Sequence, residues 1–160
     1  MDEEVRELVL PGGAPHPDGI VTADSPVGFE LSGVTKRAAV QLMASRTWGR
    51  FNPNHWDPVY AHQTGLSLPI QTGEMSSAYI AEMCVYNFGR FFFTGAQVNC
   101  KYISSISAGE IVTTHGVIRG AARIKHGTRF TVDVWVDNDS GEKKTVGIVT
   151  VDVTDEGATK

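Results

Sequence analysis

His55 is the first candidate for catalysis, because it lies in a loop-like run from Asn52 to Asp57 with prolines at positions 53 and 58. Ordered loops of this composition often carry function. An imidazole can take up or release a proton near neutral pH, so His55 could act as a general acid and base. The alternative is a structural histidine that hydrogen-bonds the loop backbone.

The residues around His55 suggest several supporting roles. Asn52 and Pro53 are expected to shape the loop, and a purely structural role is favoured for both. Asp57 could orient His55 or cap the helical turn that begins at Pro58, and capping is favoured. Arg50 stays protonated and cannot be a base. Its guanidinium either binds a carboxylate or phosphate of a ligand or points to water, and the sequence leaves both open.

A second group of candidates lies where the chain enters its longest predicted helix. Thr72 can cap this helix, and Gly73 begins it. Unpaired N–H groups at a helix start can bind an oxyanion, but a glycine there can also serve only the turn. Glu74 is the nearest candidate carboxylate, although a first-turn glutamate that complements the helix dipole is the favoured interpretation.

The other reactive side chains do not form a pattern. Cys84 and Cys100 lack disulfide or zinc spacing, and His62, His115 and His126 lack metal-ligand spacing, so we expect no metal. The aromatic cluster of Phe88 and residues 91–93 could line an acyl tunnel, but a place in the core is favoured. A net charge of −4 gives no basic stripe for nucleic acid.

The remaining patterns predict one domain. Residues 1–28 are rich in proline and glycine and predict an irregular arm, and residues 29–155 predict a single α+β domain. Its predicted elements are a strand at 29–31, helices at Thr35–Arg46 and Thr72–Asn87, a helical turn at Pro58–Gln63, and strands at Phe91–Tyr102, Glu110–Gly120, Arg129–Asp137 and Lys144–Val153. Gly147 predicts a bulge in the last strand. An antiparallel sheet should wrap around the long helix.

The segment from Gly49 to Asp57 resembles the signature Gly-Asp-x-Asn-Pro-x-His-x-Asp of the MaoC-like, (R)-specific enoyl-CoA hydratases, with Arg50 at the place of the first aspartate. Residues 69–75 are similar to the family's Pro-Ile-x-His-Gly-Met entry into the central helix, with Thr72 at the histidine. Residues 108–112 are similar to its Pro-Gly-Asp-Thr-Leu turn. Together the three likenesses cover about residues 30–153.

The resemblance implies a hot-dog fold, with an antiparallel sheet of five or six strands around one central helix and two domains paired in a dimer. It implies catalysis by His55 and by the N–H of Gly73, with Glu74 as a possible substitute for the missing carboxylate. Arg50, Asn52, Asp57 and Thr72 are then expected against the substrate. The substrate would be an enoyl-CoA or an acyl-carrier thioester, with no separate cofactor.

The predicted function is therefore a hydratase or dehydratase of acyl thioesters. Two alternatives stay open: a catalytically degenerate subunit of a heteromeric hydratase, beside a paralogous partner, and a hot-dog thioesterase that uses Glu74. We expect at least a homodimer, without nucleic acid or membrane as partner. No stretch is apolar enough to span a membrane and no secretory signal is visible, so a cytoplasmic location is expected.

Overall fold

A long helix followed by four strands forms most of the fold, and the computed structural model describes residues 19–40 and 51–154. The helices are α1 (Pro58–Gln63) and α2 (Gly73–Phe88), and short 3-10 helices span Pro53–His55 and Gly89–Thr94. The strands are β1 (Thr35–Arg37), β2 (Gln97–Tyr102), β3 (Ile111–Ile124), β4 (Gly127–Asn138) and β5 (Lys143–Thr154).

These strands form one antiparallel sheet in the order β1-β3-β4-β5-β2. Every second residue is buried from Phe130 to Val136 in β4 and from Val149 to Val153 in β5, as expected for a sheet with one face against a core. The buried hydrophobic residues of these two strands are Phe130, Val132, Val134, Val136, Val149, Val151 and Val153. The predicted α+β hot-dog arrangement is confirmed.

Helix α2 supplies the other half of the core. Ile80, Met83, Cys84 and Phe88 are each fully buried there. Burial of one large apolar side chain stabilises a fold by about 1.5–3 kcal/mol. The core also includes Val21, and the N–H groups of residues 20 and 21 donate to the carbonyl oxygen of Asn87. The end of the proline-rich arm is therefore packed against α2, whereas residues 1–18 lie outside the described part.

Two β-bulges interrupt the sheet, and neither is at Gly147. Arg119 has no register partner between Ile118 and Gly120, and Lys144 has none between Lys143 and Thr145. Gly147 pairs regularly with Cys100 and Val134. The predicted bulge at Gly147 is therefore wrong. The glycine instead permits close approach of β2, since a Cβ there would lie 2.5 Å from the carbonyl oxygen of Asn99.

Four other element predictions need correction. Residues 35–37 form a strand that pairs with β3, not the start of a helix, and residues 41–46 of that prediction lie outside the described part. Residues 91–94 are 3-10 helix rather than strand, because α2 ends in Phe88-Gly89 with a positive φ of 53° at the glycine. The turn expected after Gly120 starts later, since β3 continues to Ile124. Residues 29–31 contribute only an isolated bridge, between Glu30 and Val117.

Candidate active site

The loop that carries His55 is built by two side-chain caps. Asn52 precedes the 3-10 helix Pro53–His55, and its side chain accepts from the N–H of Asn54 at 3.1 Å. Asp57 accepts from the N–H groups of Val59 and Tyr60, at 2.9 and 3.1 Å, and so caps α1. Both side chains are therefore used by the loop itself.

A backbone carbonyl determines which nitrogen of His55 is available. The Nδ1 atom lies 2.6 Å from the carbonyl oxygen of Ile70. A carbonyl oxygen can only accept, so Nδ1 donates and carries the hydrogen. In the neutral ring Nε2 then has a free lone pair. The N–H of Ile70 donates to the carbonyl oxygen of Asn54 at 3.0 Å, so the two segments are joined on both sides.

The start of α2 lies against an aromatic ring. A Cβ at Gly73 would be 2.6–2.8 Å from ring atoms of Tyr102, so only glycine lets the ring and the helix start come this close. The Tyr102 hydroxyl lies 2.6 Å from the Ser77 hydroxyl on the same helix. The Tyr102 ring, at the end of β2, therefore covers the first turn of α2.

His55 and Gly73 line one cavity of about 380 Å³. Its other lining residues are Ile70, Gln71, Ser76, Tyr102, Ile103, Ser104, Ser105, Ile106 and Thr145. No aspartate or glutamate is among these lining residues, within the part of the chain that the structure describes. The cavity thus combines an imidazole with a helix start but has no carboxylate in this single chain.

Two buried polar atoms beside the cavity lack a hydrogen-bond partner among residues 19–40 and 51–154. They are Nε2 of Gln71 and Oγ1 of Thr72. Thr72 precedes α2 but makes no side-chain cap bond, and it is not among the residues that line the cavity. An unpaired buried polar group costs about 1–3 kcal/mol. Gln71 was not predicted as a site residue, because nothing in the sequence pattern distinguishes a buried glutamine from a surface one.

Of the remaining predicted site residues, Glu74 is exposed in the first turn of α2 and does not line the cavity. Arg50 lies outside the described residues. The structure therefore brings together His55 and Gly73 from the predicted set and leaves Glu74 apart from them. The chemical roles of all these residues stay predictions.

The remaining cysteine, histidine and phenylalanine candidates lie in the core or on the surface, outside the lining of the cavity of His55 and Gly73. Burial raises the pKa of the Cys84 thiol to about 12, so it is not a nucleophile near neutral pH. His62 and His126 are exposed, and His115 stacks on Trp135 and lies 2.8 Å from Asp137. Phe88 and Phe91 are core residues, while Phe93 is exposed. Among residues 19–40 and 51–154, no group of three potential metal ligands was found.

A larger concavity, of about 690 Å³, lies over the face of the sheet opposite α2. It is lined by β2, β4 and β5, with Trp135 and three charged side chains, Lys101, Asp133 and Lys143. It contains neither a histidine nor a helix start. The smaller cavity is therefore the better candidate for catalysis.

No family model matches the sequence, and no curated protein matches it at a significant level. Among the described residues, no helix has the length and apolar character needed to cross a membrane.

Solved structures do resemble the chain. The (R)-hydratase PhaJ1 from Pseudomonas aeruginosa superposes with a TM-score of 0.71 at 21% identity, over 84% of this chain and 85% of that one. A MaoC-like dehydratase from Rhodospirillum rubrum gives 0.68 at 17% identity, over 85% and 97%. The ChsH1–ChsH2 complex from Mycobacterium tuberculosis gives 0.65 at 16% identity, over 81% and 98%. This chain therefore has the hot-dog fold, in the form that these hydratases and dehydratases share.

Proposed function

We propose that this chain catalyses the reversible addition of water to an enoyl thioester, carried by coenzyme A or by a carrier protein. The observation that supports the proposal is the shared cavity of His55 and Gly73, with the Nδ1 hydrogen of His55 held by Ile70. A base and an anion-stabilising helix start are two groups that promote this reaction.

In the proposed reaction His55 acts first as a base and then as an acid, and Gly73 stabilises the negative charge between the two steps. The free Nε2 of His55 takes a proton from water, whose oxygen bonds to the β-carbon of the enoyl group. The electron pair of the double bond moves toward the thioester, and its oxygen gains negative charge. The N–H of Gly73 stabilises that charge at the positive end of α2. The imidazolium then returns its proton to the α-carbon, which restores the thioester carbonyl.

A second candidate function is a degenerate subunit that completes an active partner. The cavity has no acidic lining residue among those described, and Arg50 stands where the resembled signature has an aspartate. The similarity to one chain of the ChsH1–ChsH2 complex fits such an arrangement. The exposed position of Glu74 gives the thioesterase alternative no support. A homodimer and a cytoplasmic location stay predictions from the sequence.

A hydration assay on short, branched and aromatic enoyl-CoA substrates tests the proposal, with loss of the conjugated thioester absorbance as the readout. Wild type should be active, and His55→Ala should lose about 10²–10⁴-fold in kcat/KM, because it lacks the acid–base group. His62→Ala is the matched control, since His62 is an exposed histidine of α1.

Three results would contradict the proposal. Activity that survives His55→Ala would remove the proposed base. An inactive wild type together with an active Arg50→Asp variant would favour the degenerate-subunit alternative, and co-purification with an active partner chain would then be the next measurement. Release of free CoA thiol would indicate a thioesterase instead.

A further inference from the structure

Gln71 lies at the centre of the candidate site, one residue after the carbonyl that holds His55 and two residues before Gly73. Gln71 is one of the residues that line the cavity, although it is only 6% exposed. Its backbone N–H donates to the carbonyl oxygen of Ile106 at 2.7 Å, which fixes the residue against the opposite wall. Gln71 is thus held in place by both backbone and side chain.

The oxygen and the nitrogen of the Gln71 carboxamide differ in their hydrogen bonding. The Tyr79 hydroxyl donates to Oε1 at 3.1 Å, while Nε2 is buried without a partner. Burial, and secondarily the charge of Glu82, raise the pKa of Tyr79, so the phenol keeps the hydrogen that it donates. With Oε1 occupied, the carboxamide presents only its N–H groups for a further bond.

A free N–H donor requires an acceptor on the ligand. It cannot take a proton from water, so it does not replace a catalytic carboxylate. A thioester oxygen has two lone pairs, and its negative charge increases during hydration. A neutral amide donor stabilises that charge and, unlike a lysine or arginine, adds no positive charge beside the imidazolium.

We propose that Nε2 of Gln71 is a second hydrogen-bond donor to the thioester oxygen, beside the N–H of Gly73, and that Tyr79 is a positioning residue that orients the carboxamide. The inference rests on the proposed function and adds a residue to it. Thr72 is left out, because its unpartnered hydroxyl does not line the cavity.

A chromophoric substrate analogue tests this directly. The absorption of dimethylamino-substituted cinnamoyl-CoA moves to longer wavelength as its carbonyl is polarised. We expect this red shift on binding to wild type and a smaller red shift in Gln71→Met, which keeps the side-chain length without a donor and leaves the Gly73 N–H in place. In the hydration assay Gln71→Met should lower kcat about 10²–10³-fold with little change in KM.

Two further variants separate the donor from packing. Tyr79→Phe should reduce the red shift less than Gln71→Met does, because the carboxamide stays but loses its orienting bond. Gln63→Met is the matched control, since Gln63 is an exposed glutamine of α1, and it should change nothing. If Gln71→Met does not fold, Gln71→Leu answers the same question, because its side chain also has no donor.

The outcomes distinguish the inference from the function on which it rests. A red shift and kcat that are unchanged in Gln71→Met, in an active enzyme, would overturn the role of Gln71 and leave the hydratase in place. An active wild type without any red shift would do the same. A wild type that neither binds the analogue nor hydrates any enoyl-CoA would overturn both.

Discussion

A carbonyl oxygen fifteen positions along the chain determines which nitrogen of the neutral His55 ring carries the hydrogen. The sequence indicated the histidine by its type and by the loop residues around it. It could not indicate that Ile70 accepts from Nδ1, because the bond depends on how two loops meet in the fold. The same holds for Gln71, whose unpartnered Nε2 follows from the position of Tyr79.

Gly73→Ala should damage both stability and activity. The added methyl group would lie 2.6 Å from Cδ2 of Tyr102, so the ring or the helix start must move. Overpacking of this kind costs about 1–3 kcal/mol, which denaturant unfolding measures. We expect hydratase activity to fall as well, because the backbone N–H of residue 73 would move away from the cavity.

Gly120→Ala is the matched control for this prediction. A methyl group there would have its nearest neighbour, Cβ of Thr131, at 3.9 Å, which is an ordinary contact. Its stability and activity should stay near those of wild type. A Gly73→Ala protein that unfolds like wild type and keeps full activity would mean that Tyr102 does not restrict this position.

Helices and strands with a clear hydrophobic periodicity were predicted from the sequence. An element that forms only because it pairs with a distant strand was not. The buried face of α2 and the alternation of β4 and β5 are visible in the sequence. Thr35 resembles a helix cap, but β1 forms because residues 35–37 pair with β3, with the hydroxyls of Thr35 and Thr113 3.0 Å apart. Tertiary pairing overrides local propensity at such places.

The bulge at Lys144 connects the sheet with the wall of the cavity. Its carbonyl oxygen accepts from the N–H groups of Ile103 and Ser104, at 2.9 and 3.1 Å, and both residues line the cavity. Its Nζ atom lies 3.1 Å from Glu110 and 2.8 Å from Glu142, with the lysine side chain only 5% exposed. A buried lysine with two carboxylates therefore supports this wall.

Stability should fall in acid partly through Glu110. Burial alone would raise its pKa, but bonds from Asn138, the Ser107 N–H and Lys144 hold that pKa below the ordinary 4.5. A lowered pKa contributes stability above the ordinary value, and this is lost as pH falls through the lowered one. Glu110→Gln should therefore flatten the acid side of the stability profile, measured by urea unfolding between neutral pH and about pH 3.

Lys144→Met checks the same network from the other partner. Removal of the ammonium should lower the free energy of unfolding by about 2 kcal/mol at neutral pH. Lys143→Met is the control, because Lys143 is exposed and lies over the ring of Trp135. If neither Glu110→Gln nor Lys144→Met changes the pH profile, the network does not stabilise the wall.

At the scale of the whole molecule, the described sheet has β1 and β2 at its edges. An unpaired edge strand tends to associate with another chain, and β2 is the longer of the two. The wrapped sheet was predicted correctly, because it follows from the periodicity of the sequence, and the single domain stays a prediction. A partner surface has no such pattern, so the dimer stays a prediction.

We expect light scattering to give at least twice the mass of one chain at micromolar concentration. Hydrogen exchange should then show protection along both edges of β2, since amides that do not bond to β5 would bond to the second copy. On dilution to monomers, the outward amides should exchange rapidly while those bonded to β5 stay protected. A monomer at all concentrations would contradict the prediction.

The pairing of β2 with β5 also has a consequence for synthesis on the ribosome. Tyr102 at the end of β2 lies against Gly73 and pairs with Thr145, and the next two residues donate to the Lys144 carbonyl oxygen, so both partners belong to the last strand. When α2 and β2 of a nascent chain have left the ribosome but β5 has not, the wall of the cavity is therefore not yet fixed. Ligand binding can begin only after almost all of the described chain has left the exit tunnel, so the substrate cannot assist the early steps of folding.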